Sequence, residues 1–265
     1  MMFSFAAAGR ALSLSLRIFT RTIGAKYRKS FLGYFWMVAP ALLITAGVTL
    51  ANRAGIISPG NTILSYPLFA LIGTLLWQVF AEAVDVSHKA FEGARSYITR
   101  VYFSREAIML AQLYESLITT LVRLILVLLV LAVVQGIDLR GAALVSLCFA
   151  GAVLLGMGIG SLLMPFTLLF EDLHNTIKLI LNYGLFLTPA LYQPQGSGLF
   201  ATLVRYNPVT PFMNAAREGA AGLALSDTQS FAMVLVAAVL ATVLGFFMVR
   251  AAAPIIIERM LLGGR

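Results

Sequence analysis

Charged residues are scarce in this chain. Only 11% of its 265 residues are Asp, Glu, Lys or Arg, whereas 60% are hydrophobic. A soluble domain carries about 25% charged residues, and a soluble fold of this length could not cover so much apolar surface. A bilayer can, because a spanning helix needs about 20 predominantly apolar residues. The composition therefore predicts an all-α integral membrane protein built as a single domain.

Residues that carry catalytic or metal chemistry are also rare. The one cysteine, Cys148, excludes a disulfide within the chain, and the only histidines, His88 and His174, have no second His or Cys at ligand spacing. Glu171 and Asp172 are adjacent and so point to different faces of a helix. No G-x-x-x-x-G-K-[ST] phosphate loop is present in the sequence. We expect no catalytic residue, no bound metal and no cofactor in this chain.

Six apolar segments meet or approach the length of a membrane span. They cover residues 31–52, 63–81, 107–134, 141–170, 179–192 and 231–249. The fourth contains Gly156, Gly158 and Gly160, and small residues at this spacing let helices approach closely. We expect six transmembrane helices.

Two segments outside these spans have a character of their own. Residues 10–30 place apolar side chains on one helical face and arginines on the opposite face, which is typical of an amphipathic helix lying in the headgroup layer. Residues 193–230 are too long for a turn and too apolar for a solvated loop. We expect short re-entrant helices there, buried against protein before the last span.

The distribution of lysine and arginine predicts the orientation. With six spans both termini share one side, which holds fourteen of these residues: six before the first span, four in residues 82–106, Lys178, and three from Arg250 onward. The other side holds four, and Arg123 lies within a span. Because basic residues stay cytoplasmic, we expect both termini inside the cell. The net charge of +8 then needs no nucleic-acid partner.

Several motifs identify a family that the chain resembles. Residues 26–36 spell KYRKSFLGYFW and precede Pro40, which is similar to the K-Y-R-x-S-x-L-G-x-x-W…P signature of ABC-2 type permeases that export polysaccharides such as O-antigen, capsule and teichoic acid. Weaker matches follow in the family's order: EDL at 171–173, TPALY at 188–192, and Asn207-Pro208 followed by Arg217. Glu171 replaces the family's usual Arg, and YFSRE at 102–106 lacks the proline of the family's F-P-R-E.

The resemblance covers nearly the whole chain and implies a transport subunit rather than an enzyme. It implies a homodimer in the bacterial inner membrane, bound to two copies of a separate ATPase subunit that holds ATP and Mg. The substrate would be a lipid-linked glycan that the dimer moves from the cytoplasm to the outer face.

The resemblance, combined with position along the chain, also assigns roles. Residues 10–30 would be an interface helix and residues 85–106 a coupling segment, while residues 193–230 would form an outer gate. The residues expected to contact the ATPase are Arg17, Arg21, Lys26, Arg28, Lys89, Phe91, Glu92, Arg95, Tyr97, Arg100, Phe103, Glu171 and Asp172. The residues expected along the conduit are Tyr34, Phe35, Tyr66, Phe69, Arg123, Phe186 and Tyr192. The outer-gate candidates are Asn207, Pro208 and Arg217.

Each assignment has a plainer alternative. The aromatic residues near span ends also fit interfacial anchoring and packing, and Arg123 fits a structural hydrogen-bonding role as well as a conduit lining. The coupling segment could be a solvated loop that only fixes topology. For the whole protein, the alternatives are an ABC-2 exporter of a lipid or drug and a membrane-embedded lipid-modifying enzyme. Such an enzyme would show an acidic or histidine cluster at one membrane face, and the sequence offers none.

Overall fold

The fold is given by a computed structural model that describes residues 15, 20, 33–98, 105–193 and 198–262. Within these ranges every regular element is a helix. The α-helices are α1 (Ala39–Arg53), α2 (Tyr66–Ile98), α3 (Arg105–Val134), α4 (Leu139–Leu169), α5 (Glu171–Tyr183), α6 (Leu199–Tyr206), α7 (Thr210–Ala220) and α8 (Thr228–Leu262). Short 3₁₀ segments, Gly33–Met37 and Gly184–Leu187, precede α1 and follow α5. The all-helical class predicted from the sequence is confirmed.

Four of these helices are long and apolar enough to cross a membrane. The candidate spans are Tyr66–Gly93, Leu110–Val134, Leu139–Leu169 and Thr228–Ala252, and they coincide with the predicted second, third, fourth and sixth spans. At the predicted first span the structure has the 15-residue α1, and at the fifth it has the 13-residue α5 followed by the 3₁₀ segment. The chain is a multi-pass membrane protein, and the count of six spans stays a prediction.

Local sequence explains where the long helices begin. The Asp138 side chain caps α4 by accepting a hydrogen bond from the backbone N–H of Gly141 at 2.8 Å, which satisfies one of the free donors of the first turn. Gly136 precedes it with φ of +77°, a backbone conformation that glycine adopts without steric cost. Pro40 lies in the first turn of α1, where its missing N–H breaks no helical hydrogen bond. Asp138 and Gly136 together give the short predicted turn between α3 and α4.

The first part of the predicted coupling segment, 85–106, is helical and belongs to α2. Residues 85–98 continue α2 without a break, so the polar stretch is the end of the same helix that crosses the membrane. Residues 99–104 lie outside the described part of the chain. A displacement of this polar end would therefore be carried directly into the span.

The segment predicted to be re-entrant contains two short helices, α6 and α7. Helix α7 is buried along most of its length, including Phe212, Met213 and Arg217. The depth of α6 and α7 in a membrane stays a prediction. The burial of α7 against protein agrees with the requirement that irregular backbone at membrane depth be covered by protein.

Helix α4 is the centre of the packing, and glycines explain why. A Cβ at Gly156 would lie 2.6 Å from the Phe80 carbonyl oxygen of α2, and one at Gly160 would overlap the Val84 carbonyl. On the opposite side, a Cβ at Gly158 would lie 2.6 Å from the Thr242 nitrogen of α8. Backbones this close cannot admit a side chain, so the predicted role of these glycines in helix approach is confirmed.

Candidate functional site

Part of the predicted site lies outside the described residues. This applies to the interface helix 10–30 apart from residues 15 and 20, and so to Arg17, Arg21, Lys26 and Arg28. It applies also to Arg100 and Phe103 of the coupling segment. The side chains of Tyr34, Arg95 and Tyr97 also lie outside the described part. The roles predicted for all these residues stay predictions.

The polar end of α2 presents charged residues and hides its aromatic one. Lys89 and Glu92 are exposed, and Lys89 forms an ion pair with Asp85 one turn earlier. Phe91 is only 1% exposed and belongs to the core. The charged side chains are therefore the part of this surface that a soluble partner could reach, while Phe91 holds the helix end in place. A Phe91→Ala variant would create a cavity and could not separate a coupling role from loss of stability.

The two histidines meet in space although 86 positions separate them. The rings of His88 (α2) and His174 (α5) are stacked, with centroids 3.5 Å apart and planes 13° apart. His88 Nδ1 lies 3.0 Å from the Thr167 hydroxyl of α4, and His174 Nε2 lies 3.9 Å from an Asp85 carboxylate oxygen. Two imidazolium rings at this separation would repel each other, so the stack favours the neutral form of at least one of them.

A buried hydrogen-bond network lies next to this stack. The Gln112 amide of α3 donates to the Ser87 hydroxyl of α2, which lies 3.2 Å from the Ser161 hydroxyl of α4. All three side chains are buried. Together with the histidines, this layer ties α2, α3, α4 and α5 together at one end of the helices, and buried polar groups satisfied in this way fix a specific packing. Glu171 and Asp172 are exposed at the start of α5, where negative charge suits the helix dipole.

Arg123 lies deep among the helices and is fully engaged within the chain. Its side chain is 2% exposed; it pairs with the Glu82 carboxylate of α2 and donates two hydrogen bonds of 3.1 Å to the Met37 carbonyl oxygen. The bidentate contact with Glu82 explains how a guanidinium is accommodated in an apolar setting. These contacts support the structural alternative for Arg123 and bring in Glu82, which the sequence did not single out.

The aromatic candidates whose side chains are described do not form one continuous surface. Tyr66 and Phe69 are buried, and the Tyr66 hydroxyl donates to the Leu191 carbonyl oxygen at 3.1 Å. Tyr192 is half-buried and donates to the Phe186 carbonyl oxygen at 2.9 Å. Phe186 itself and Phe35 are exposed, and so are available to lipid or to a second chain. Packing explains the buried pair, whereas the conduit role of the exposed ones stays a prediction.

Arg217 joins the predicted outer gate to the rest of the fold. The side chain is 2% exposed and donates to the carbonyl oxygens of Pro189 (2.7 Å), Ala190 (2.8 Å) and Phe69 (3.1 Å). The guanidinium carbon also lies 3.4 Å from the centroid of the Phe69 ring, a favourable cation–π distance. Burial lowers the pKa of Arg217 to about 9, which leaves it protonated at neutral pH.

A glycine makes room for the Arg217 contacts, and an Asx turn at Asn207 directs the chain into α7. A Cβ at Gly73 would overlap the Ala190 carbonyl, and it would lie 2.5 Å from an Arg217 nitrogen. The Asn207 side chain accepts a hydrogen bond from the Val209 backbone N–H at 2.9 Å and so turns the chain into α7, with Pro208 exposed between them. Of the three gate candidates, Arg217 makes the long-range contacts, while Asn207 shapes the local turn.

The described side chains offer no metal centre. Within the ranges that the structure describes, no three His, Cys, Asp or Glu side chains come together where they could hold an ion. Instead, the buried polar side chains form three sets of contacts between apolar helices. They are the histidine layer, the Arg123–Glu82 pair and the Arg217 contacts.

This geometry defines a class: a multi-pass helical membrane protein whose charges link helices to one another. Comparison with known proteins is more specific. The chain is 24% and 25% identical over 215 residues to two Klebsiella pneumoniae proteins named O-antigen export system permease protein RfbA, covering 79% of this chain and 81% of each relative. It is 24% identical over 213 residues to the Myxococcus xanthus protein of the same name, covering 76% and 78%. No family model matches the chain. The relatives confirm the predicted resemblance to the permeases of ABC-2 polysaccharide exporters.

The Arg217 contacts generate a prediction about local stability. In Arg217→Lys, one ammonium cannot reach three carbonyl oxygens, so the variant should lose about 2 kcal/mol of local stability or more. Hydrogen–deuterium exchange followed by mass spectrometry should then be faster in peptides covering 184–222. Arg205→Lys is the matched control, because Arg205 is exposed in the same segment. Equal protection in both variants would show that Arg217 does not fasten this segment.

The histidine stack predicts a pH dependence with a definite sign. Burial, and then the Lys178 ammonium, lower the pKa of His174 below its ordinary value, while the Asp85 carboxylate opposes them less strongly. The folded protein then binds this proton less readily than the unfolded chain. Its contribution to stability is complete above about pH 6.5 and is lost as pH falls through the lower folded pKa.

A phenylalanine at position 174 keeps the ring contact but cannot titrate. In detergent solution the Tm of the wild type should fall by a few degrees from about pH 7.5 to about pH 5.5, and His174→Phe should fall less. Tyr183→Phe, a change at an exposed position of the same helix, should follow the wild type. An identical fall in all three proteins would rule out the stack as its source.

Proposed function

We propose that this chain is the permease subunit of an ABC transporter that exports a lipid-linked polysaccharide across a bacterial inner membrane. The observation that carries the proposal is the similarity, over about four fifths of the chain, to three O-antigen export permeases. Two independent features support it: the family motifs occur in the family's order along the sequence, and the chain is a helical multi-pass protein.

In this proposal the energy comes from a separate subunit. The sequence has no phosphate loop, so ATP and Mg would be held by an ATPase subunit, two copies of which would bind a dimer of this chain. Both termini would be cytoplasmic, as the distribution of basic residues indicates. The relatives are named as permeases of an export system, which supports a division of labour between membrane and energising subunits.

The proposed ATPase surface is the charged end of α2. Residues 85–98 are continuous with the span, so a force applied there would reach the membrane part without an intervening loop. Lys89 and Glu92 are exposed at this end and can set the register of a partner, a role that charges at the rim of an interface commonly have. The interface helix 10–30 and the exposed acids Glu171 and Asp172 would complete this surface.

The remaining roles follow the chain to its other end. The segment 193–230 would form the outer gate, held by Arg217 against residues 189–190 and against α2. The proposed gate contact and the proposed ATPase surface would lie at opposite ends of α2. Phe69, near the start of α2, contacts Arg217, whereas His88, near the charged end, contacts Thr167. This arrangement supports a mechanism in which α2 links the nucleotide cycle to the gate.

The proposal is tested by charge reversal at Glu92. In a strain lacking this gene and carrying Glu92→Arg, we expect the tagged protein to insert normally but to co-purify with much less of the ATPase encoded beside it, and surface glycan should fall. The matched control is Arg53→Glu, a charge reversal at the exposed last residue of α1, far along the chain from the charged end of α2.

Three outcomes would count against the proposal or parts of it. Normal surface glycan in the gene deletion would contradict polysaccharide export. Loss of a lipid or of drug resistance instead would favour the other ABC-2 substrates. Normal ATPase recovery and normal export with Glu92→Arg would remove the coupling role of the α2 end.

A further inference from the structure

Helix α2 is enclosed by protein almost everywhere except along one line. Between Leu68 and Phe91 only six residues are not buried: Gln78, Ala81, Glu82, Asp85, Lys89 and Ala90. Four of the six are polar or charged. With Glu92, which is also exposed, they form what we call the polar stripe: Gln78, Glu82, Asp85, Lys89 and Glu92.

The spacing places the whole stripe on one side of the helix. The positions follow i, i+4, i+7, i+11 and i+14, and at about 100° per residue they fall within about 80° of the circumference. The stripe is about 21 Å long, because each residue rises about 1.5 Å. It runs from the charged end of α2 to roughly the middle of the helix.

Exposed surface elsewhere on the spans has the opposite character. Helix α3 exposes Leu117, Leu121, Ile125 and Leu129, and α8 exposes Val236, Leu240 and Leu244. These apolar rows suit hydrocarbon chains. A carboxylate does not, since a charge facing lipid at depth is costly. The Glu82 side chain is 52% exposed, so the open side of α2 suits water better than lipid.

The inner end of the stripe also carries unused hydrogen-bonding capacity. Thr74 lies one turn beyond Gln78 on the same side of α2. Within the described part of the chain, neither the buried Thr74 hydroxyl nor the buried side-chain amide oxygen of Gln78 has a hydrogen-bond partner. Arg123 reaches this region from α3 and neutralises Glu82. Buried polar atoms without protein partners suit an enclosed water molecule, which can in turn bond to groups in the groove.

The charges along the stripe are mostly paired. Asp85 pairs with Lys89 and Glu82 pairs with Arg123, whereas Glu92 lies 3.6 Å from His88, which is a cation only when protonated. With a neutral His88 one negative charge remains, so acceptors and donors occur along one side with only a weak negative field. Such a surface favours a ligand that both donates and accepts hydrogen bonds and carries little charge.

We propose that the polar stripe lines a water-filled groove that enters from the charged end of α2, and that the groove takes an uncharged, hydroxyl-rich chain. The second part rests on the proposed function, since it identifies where a glycan would contact this subunit. The first part depends only on the exposure and chemistry of α2.

Cysteine labelling tests the groove. In membrane vesicles with the charged end of α2 outward, a negatively charged methanethiosulfonate that does not cross membranes should modify Glu82→Cys. The thiolate attacks the reagent's sulfenyl sulfur and forms a mixed disulfide with release of methanesulfinate. Because this needs water-borne reagent and a thiolate, Glu82→Cys should react at least about tenfold faster than a cysteine that faces lipid.

Leu121→Cys is the matched control. Leu121 is 53% exposed, about as much as the Glu82 side chain. It stands two residues from Arg123, which contacts Glu82, so positions 121 and 82 lie at a similar depth but differ in their surroundings. The native Cys148 is buried, and the unmodified wild type gives its background rate. Gln78→Cys is the second test variant, because it leaves the Arg123–Glu82 pair intact if Glu82→Cys does not accumulate. Rates no faster than that of Leu121→Cys at both positions would overturn the groove.

A separate measurement tests the ligand class. Gln78→Leu removes a hydrogen-bonding group whose oxygen has no protein partner among the described residues, so the Tm should not fall while surface glycan drops several-fold. Fast labelling with normal export by Gln78→Leu would leave the groove but overturn its use by a glycan. Labelling requires neither ATP nor glycan, so failure of the groove and failure of the proposed function give different results.

Discussion

A charged side chain among apolar helices needs partners inside the protein, and the rest of this structure depends on that constraint. Arg217 satisfies it with three carbonyl oxygens and an aromatic ring, and Arg123 with a carboxylate and a carbonyl oxygen. Each solution joins segments distant in sequence. The polar residues therefore hold helices together. Where they are exposed, as along α2, they are the basis for the proposed water-filled groove.

Helix α2 takes part in all of these contacts. One end meets Arg217 through Phe69, the middle meets Arg123 through Glu82, and the charged end carries His88 in its stack with His174. Close backbone contacts with Gly156 and Gly160 hold it against α4. A movement imposed at the charged end would thus act on α4, on the Arg123–Glu82 pair and on the Arg217 contacts together, as the proposed coupling role requires.

Sequence reasoning predicted the helical class and six spans, four of which coincide with the long apolar helices, because an apolar run of membrane length is stable as a spanning helix and in little else. It also predicted the close approach at Gly156, Gly158 and Gly160, and the family from short motifs. It could not predict that His88 stacks on His174, since nothing local links residues 86 positions apart. The burial of Phe91 was missed because its polar neighbours indicated an exposed segment. The polar stripe was detectable in principle: Gln78, Glu82, Asp85, Lys89 and Glu92 recur with helical spacing, but burial on every other side of α2 was needed to give that pattern a meaning.

The most direct test of the account is transport by purified components. The chain would be reconstituted in liposomes with the ATPase encoded beside it, and lipid-linked glycan would be supplied on the ATPase side. The account predicts that glycan becomes accessible to a glycosidase on the opposite side only when both subunits and ATP are present. Glycan that stays on the side of supply while the same vesicles move a simple lipid or a drug with ATP would contradict it.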